Sequence, residues 1–222
     1  MKTIFVITVL AMTAFQSFGQ GYVAFINSAG YRVSTNSIDG PGGGSSPVLQ
    51  AISPVGSFYY VLMVAPTTQT TVDASLAGWT FTGSYATNTA NGTTLGFAGR
   101  LFGANSPDGQ ACLVPGYSAT STANFVVVGW SANIGTTFEQ ALAFWNNGNP
   151  ASNLPVANFG ISTIAQGVAL SPANGPYNTV FGNSSFGLIQ GMVLGTYRVP
   201  EPTTIALGGL GGATLLLFRR RG

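Results

Sequence analysis

Between Gly21 and Val199 the formally charged side chains are Asp39, Asp73, Asp108 and Glu139 against Arg32, Arg100 and Arg198, with one thiol, Cys112. The chain has no histidine, and its single lysine is Lys2. This set excludes histidine triads, imidazole metal ligation, Schiff-base chemistry and Lys–Asn crosslinks. What remains is carboxylate chemistry. A glycoside hydrolase needs two carboxyl groups, ~5–5.5 Å or ~6.5–9.5 Å apart. Asp39 and Asp108 stand in glycine-rich turns, where aspartate bonds its own backbone, and Glu139 fits the first turn of a helix. No G-x-S-x-G elbow, P-loop, dinucleotide fingerprint or D-x-[DN]-x-[DN]-G run is present. The reading is therefore not an enzyme, with no cofactor and no metal site; a carboxylate-pair hydrolase is the weakest alternative.

Two kinds of residue keep a second reading open. Cys112 either pairs between molecules or serves as a small core hydrophobe, and its place in the apolar run Ala111-Cys112-Leu113-Val114 favours the core. The aromatics Trp79, Trp130 and Trp145, with Tyr59, Tyr60, Tyr85 and Tyr117, either fill the core or form a platform on which sugar rings stack. Trp130 follows an apolar strand and Trp145 lies on a helical stripe, which assigns both to the core. Trp79 is the least committed and is the candidate ligand contact.

The elements that position these groups read as mainly β. Tyr22–Ile26, Phe58–Ala65, Trp79–Tyr85, Ala123–Trp130 and Phe186–Tyr197 are rich in β-branched and aromatic residues, with period-two alternation in places. The continuous apolar run Phe58–Ala65 predicts a central strand covered on both faces. Gly191 and Gly195 predict a bulge or bend in the last region. The one helix is Thr137–Trp145, with Phe138, Ala141, Leu142 and Trp145 at i, i+3, i+4 and i+7. Thr136 or Thr137 caps it, with Glu139 or Gln140 in its first turn. Asp39–Pro47, Asn91-Gly92, Asp108-Gly109, Asn147–Pro150 and Asn174-Gly175-Pro176 punctuate the strands as turns. The expectation is a single β-sandwich, jelly-roll-like, with one short helix, over residues 20–198.

Charged residues make up 5% of the chain, so the polar surface consists of Ser, Thr, Asn, Gln and Gly. With hydrophobic residues at 45%, this is not a disorder composition. The net charge of +2 comes from Lys2 and the closing arginines, so a phosphate-binding surface and nucleic acid partners are excluded.

The two ends read as addresses. Lys2, the apolar run Ile4–Phe15, and the small residues Ser17 and Gly19 predict a signal peptide over 1–19, handled by the Sec and signal peptidase machinery and cut between Gly19 and Gln20. At the other end, residues 199–222 carry Val199-Pro200-Glu201-Pro202, an apolar stretch Ile205–Phe218, and Arg219-Arg220-Arg221. The apolar stretch is about 14 residues, or ~21 Å as a helix. It spans a ~30 Å core only where the bilayer thins and the arginines snorkel. Those arginines stay cytoplasmic, which places the domain outside.

The proline-flanked acidic motif, the short Gly-rich apolar segment and the arginine cluster together resemble the tripartite PEP-CTERM sorting signal of Gram-negative bacteria. The resemblance implies recognition by an exosortase at or near Pro200-Glu201-Pro202. It also implies an inner-membrane anchor before processing, and delivery afterwards to the cell surface or an exopolysaccharide matrix. A plain anchor shares this topology and differs only in cleavage. The stretch Gln20-Gly21-Tyr22-Val23-Ala24-Phe25-Ile26-Asn27 is similar to the mature start of Gly-rich secreted proteins that often carry this tag, which implies a β-rich fold and no defined activity. The functional expectation is a non-catalytic exported surface or matrix protein. The alternative is a carbohydrate-binding module, with polysaccharide or further copies of the chain as partners.

Overall fold

The computed structural model describes residues 19–28, 30–39, 47–49, 56–88, 99–106, 109–146 and 157–197. The signal segment, the turns at Asn91-Gly92 and Asn147–Pro150, Asp108, the sorting motif and the closing arginines lie outside the described residues.

The first strands are β1 (Gln20–Val23), β2 (Phe25–Ile26), β3 (Val33–Asp39), β4 (Pro47–Leu49) and β5 (Phe58–Ala65). They are followed by β6 (Thr80–Asn88), β7 (Leu101–Gly103), β8 (Cys112–Ser118) and β9 (Thr122–Ser131). Helix α1 (Phe138–Asn146) then leads to β10 (Ala157–Ile161), β11 (Ala165–Ala169), a 3-10 turn (Ser184–Phe186) and β12 (Met192–Tyr197). The large sheet runs β2-β7-β6-β5-β9-β10-β12-β3-β4, with β11 continuing beside β9 where β10 leaves off. β12 and β3 are parallel, and the remaining pairs are antiparallel. β1 pairs with β8 as a separate two-stranded sheet, yet runs on into β2 of the large one.

The domain is mainly β with one α-helix among the described residues, as the composition and turn pattern predict. The facing layers are opposite stretches of one curled sheet. The curl brings the start of β3 back to the approach to β7, where the Val33 amide donates to the Gly99 carbonyl at 2.8 Å. Asn27 completes the seam: its Nδ2 donates to the carbonyls of Tyr31 and Gly99, and its Oδ1 accepts from the Leu101 amide.

β5 and β9 lie side by side in register over eight residue pairs and are buried on both faces. Their inward residues Tyr60, Leu62, Val64, Phe125 and Val127 join Phe25, Ile189 and Leu194 in a core enclosed by the curl. Their outward residues Val61, Met63, Val126, Val128 and Trp130 form a second core, covered by α1 and the 66–79 loop. A strand with both faces covered must be apolar throughout, which is why Phe58–Ala65 and Phe125–Val128 show no alternation. Packing of the inner core depends on a glycine pair. Gly129 and Gly160 face each other across β9 and β10, and a Cβ on Gly129 would stand 2.7 Å from the Tyr60 ring and 3.1 Å from Leu194.

β6 turns its small residues inward. Thr82, Ser84, Ala86 and Asn88 are buried, while Phe81 and Tyr85 face outward toward α1. The small polar residues fit inward because backbone groups meet them there. Thr82 Oγ1 donates to the Leu62 carbonyl at 2.8 Å, and Asn88 Oδ1 accepts from the amides of Gly56 and Phe58. Asp39 is the last residue of β3, opposite Thr196, where the sequence reading places it in a turn.

Candidate functional site

At the predicted processing point, the Gly19 carbonyl accepts from the Ala119 amide at 2.7 Å, and Gln20 opens β1 opposite Ser118. The peptide between them therefore lies at the start of a paired strand.

Of the described titratable groups, Asp73 and Glu139 are exposed and Cys112 is buried. The hydroxyl and amide of Ser75 both donate to Asp73 Oδ1, at 2.6 and 2.8 Å, and hold this exposed carboxyl below its ordinary 3.8. Glu139 is exposed in the first turn of α1, where a negative charge faces the positive end of the helix dipole. Among the described residues no group of three or more His, Cys, Asp or Glu comes together. Cys112 is buried, and its thiol donates to the Gly103 carbonyl at 3.3 Å. Burial pushes the thiol up to about 11, against smaller opposing contributions from Ser84 and the Asn105 backbone.

The aromatics divide sharply. Trp79 is 8% exposed, and its Nε1 donates to the Thr71 carbonyl at 3.1 Å, so its ring is spent on packing the loop against the outer core. Trp130 and Tyr60 are fully buried, and Trp130 Nε1 donates to the Gly135 carbonyl. Trp145 is half-buried and stacks on Phe159 with ring centroids 4.5 Å apart. Tyr117 is half-buried on the edge of the inner core, where burial raises its hydroxyl above the ordinary 10.0. Tyr59 and Tyr85 remain accessible, and they come together.

Their meeting place follows from sheet register. Direct cross-strand partners place Ile26, Phe102, Thr87, Tyr59, Trp130 and Phe159 in one row across β2, β7, β6, β5, β9 and β10, on the outward face. Helix α1 covers the Trp130–Phe159 end through Phe138 and Trp145. The helix begins at Phe138, which leaves the Tyr59–Thr87–Phe102 end open as a cleft of about 410 Å³. Tyr59, Tyr85, Thr87, Phe102, Thr136 and Thr137 line it, with Ala86, Gly103 and Ala104. Phe102 and Tyr85 are 43% and 39% exposed, among the few large apolar side chains left open.

The cleft walls are fixed. Tyr59 stacks on Trp130 at 6.2 Å and 22°, and Tyr85 meets Phe81 edge-on at 5.2 Å. The Tyr85 hydroxyl accepts from the Phe138 amide at 3.1 Å. Gln140 Oε1 accepts from the amides of Thr136 and Thr137, and Thr137 Oγ1 accepts in return from the Gln140 amide. This is a capping box with glutamine as the reaching partner. Phe102 carried no sequence signal, because β7 is three residues long and shows no readable period. Only its pairing with Thr87 reveals the row.

A family model described as PEP-CTERM protein-sorting motif matches residues 198–221, directly after the end of β12 at Tyr197. Comparison with curated proteins and with solved structures gives no match. Among the described residues no helix is long and apolar enough to cross a membrane. The match implies an exported protein, anchored at its C-terminus before an exosortase processes it.

Proposed function

We propose, from the premise that this chain carries a PEP-CTERM sorting motif, that it is a non-catalytic surface or matrix protein. On this reading residues 1–19 direct export, and residues 20–198 form the displayed domain. Residues 199–222 hold the domain at the outer face of the inner membrane until an exosortase acts at or near Pro200-Glu201-Pro202. The observation that carries the reading is the adjacency of fold and motif: the last strand ends at Tyr197 and the match begins at residue 198. Cutting at the prolines falls after the last residue of β12. Seven residues, 198–204, separate that strand from the apolar stretch, so the motif lies within about 25 Å of the membrane when fully extended.

A non-catalytic role is supported by the groups themselves. Asp73 is held ionised by Ser75, which suits neither a general acid nor a tuned base. The low-charge Ser/Thr/Asn/Gly surface suits close contact with neutral polymer or with other copies of the chain.

The test is the intact mass of protein recovered from the cell surface, with and without the exosortase. The expected form begins at Gln20 and ends near residues 200–202. Protein that keeps its tail through Gly222 in both strains reduces the reading to simple anchoring.

A further inference from the structure

We infer that the open end of the aromatic row, bounded by Tyr59, Tyr85 and Phe102, is a binding site for a neutral hexose oligosaccharide. The inference goes beyond the sorting reading and does not depend on it.

The chemistry of the lining selects the ligand. None of the nine residues around the cleft bears a formal charge. A helix N-terminus would ordinarily draw an anion. Here the amides of Thr136 and Thr137, just before α1, are taken by Gln140 Oε1, and that of Phe138, at its start, by the Tyr85 hydroxyl. Among the described residues that line the cleft, an anionic ligand finds no cation and a cationic one finds no carboxylate. What the cleft offers is ring faces and hydroxyls, from Tyr59, Tyr85 and Phe102 and from Thr87, Thr136 and Thr137. A pyranose matches both, since it presents an apolar C–H face on one side and hydroxyls around its rim.

Size argues in the same direction. Tyr59 and Phe102 are two strands apart, about 10 Å at ~4.8 Å per strand, which suits a disaccharide laid across the row. A stable protein partner needs ~800 Å² on each side, far more than three strand widths supply. The volume falls in the ~300–1,000 Å³ range of small-molecule clefts. The rings are also locked before any ligand arrives, by Trp130 beneath Tyr59 and by Phe81 and the α1 amide against Tyr85. Less ordering cost is therefore left to binding.

The test uses the full chain in a zwitterionic detergent without a sugar headgroup, titrated calorimetrically with cellohexaose, maltohexaose and an oligogalacturonate. At least one neutral hexaose is expected to bind with a sub-millimolar Kd, and the charged oligomer is not. Phe102→Ala should raise that Kd about ten-fold. Phe186→Ala removes a ring 77% exposed outside the cleft and should leave the Kd unchanged. Phe102→Leu keeps apolar volume on β7 without a ring face and should lose as much affinity as the alanine variant.

The assignment is overturned if neither neutral hexaose binds at millimolar concentration, if the oligogalacturonate binds as well as they do, or if Phe102→Leu binds like the parent. Self-association that Phe102→Ala abolishes, with no sugar binding, would instead make the cleft a contact between copies. None of these results touches the tail, so failure here and failure of the sorting reading are read separately.

Discussion

At Cys112 a single side chain decides between two histories for an exported thiol. Its sulfur lies buried against the Gly103 carbonyl, and burial raises its pKa from 9.0 to about 11. Iodoacetamide at pH 8 should therefore leave the folded protein unlabelled while the urea-unfolded chain reacts fully, as read by mass spectrometry. The pH dependence has a definite sign. An unfolded thiol ionises near 9.0 and the folded one near 11, so its contribution to stability is whole below pH 9 and is lost between about 9 and 11. Asn124 makes the complementary case for buried amides. It is 1% exposed, its Nδ2 donates to the carbonyls of Thr67 and Gln69, and its Oδ1 accepts from the Gly167 amide. Asn124→Ala strands three backbone groups and should cost about 2–4 kcal/mol, seen as a lower urea midpoint with an unchanged slope. The core placement of Cys112, Trp130 and Trp145 was legible in the sequence because each stands in an apolar run or stripe. Trp79 was not, because its packing partner is a loop with no period of its own. Nor were the buried amides, since asparagine in a β-rich chain reads first as a turn.

Helix α1 and its neighbours show where a local signal suffices. The stripe of Phe138, Ala141, Leu142 and Trp145 marks the helix within one residue, and Phe144 joins the buried face. Thr137 and Gln140 close the capping box that the sequence offered as one of several options. Gln140→Ala leaves the amides of Thr136 and Thr137 without that acceptor and should destabilise the domain by about 1 kcal/mol. Because Thr136 and Thr137 also wall the cleft, the same variant should weaken any ligand held there. Strands behave differently. β5 and β9 announce themselves by apolar runs, whereas Val33–Asp39 in β3 and Ala165–Ala169 in β11 show no usable alternation. Those two are specified by partners, β12 for the one and β9 for the other, and long-range pairing is invisible to a local window. Gly129 tests the packing of the central pair. Its φ is not in the left-handed region, so the cost of Gly129→Ala is steric, from a methyl 2.7 Å from the Tyr60 ring. A loss of about 1–3 kcal/mol in chemical denaturation is expected.

On the scale of the whole molecule, the curl of the sheet and the position of its last strand bear on how the chain is released. β12 is an interior strand between β10 and β3, and it ends at Tyr197. The sheet therefore uses residues up to that point, and the matched segment at 198–221 begins at the next residue. Exosortase-processed and unprocessed protein, compared in the same detergent, should melt within about 1 °C of each other. A single lost kcal/mol would already shift a domain of this size by ~2–4 °C. Truncation after Val193 removes the pairs that Leu194–Tyr197 make with β10 and with the end of β3. That truncated chain should fail to give a cooperative transition at all. The two outcomes together separate a tag appended to a finished fold from a tail that belongs to it. If the processed form melts several degrees lower, residues after Tyr197 pack on the sheet, and release at the prolines would expose a surface that the anchored protein keeps covered.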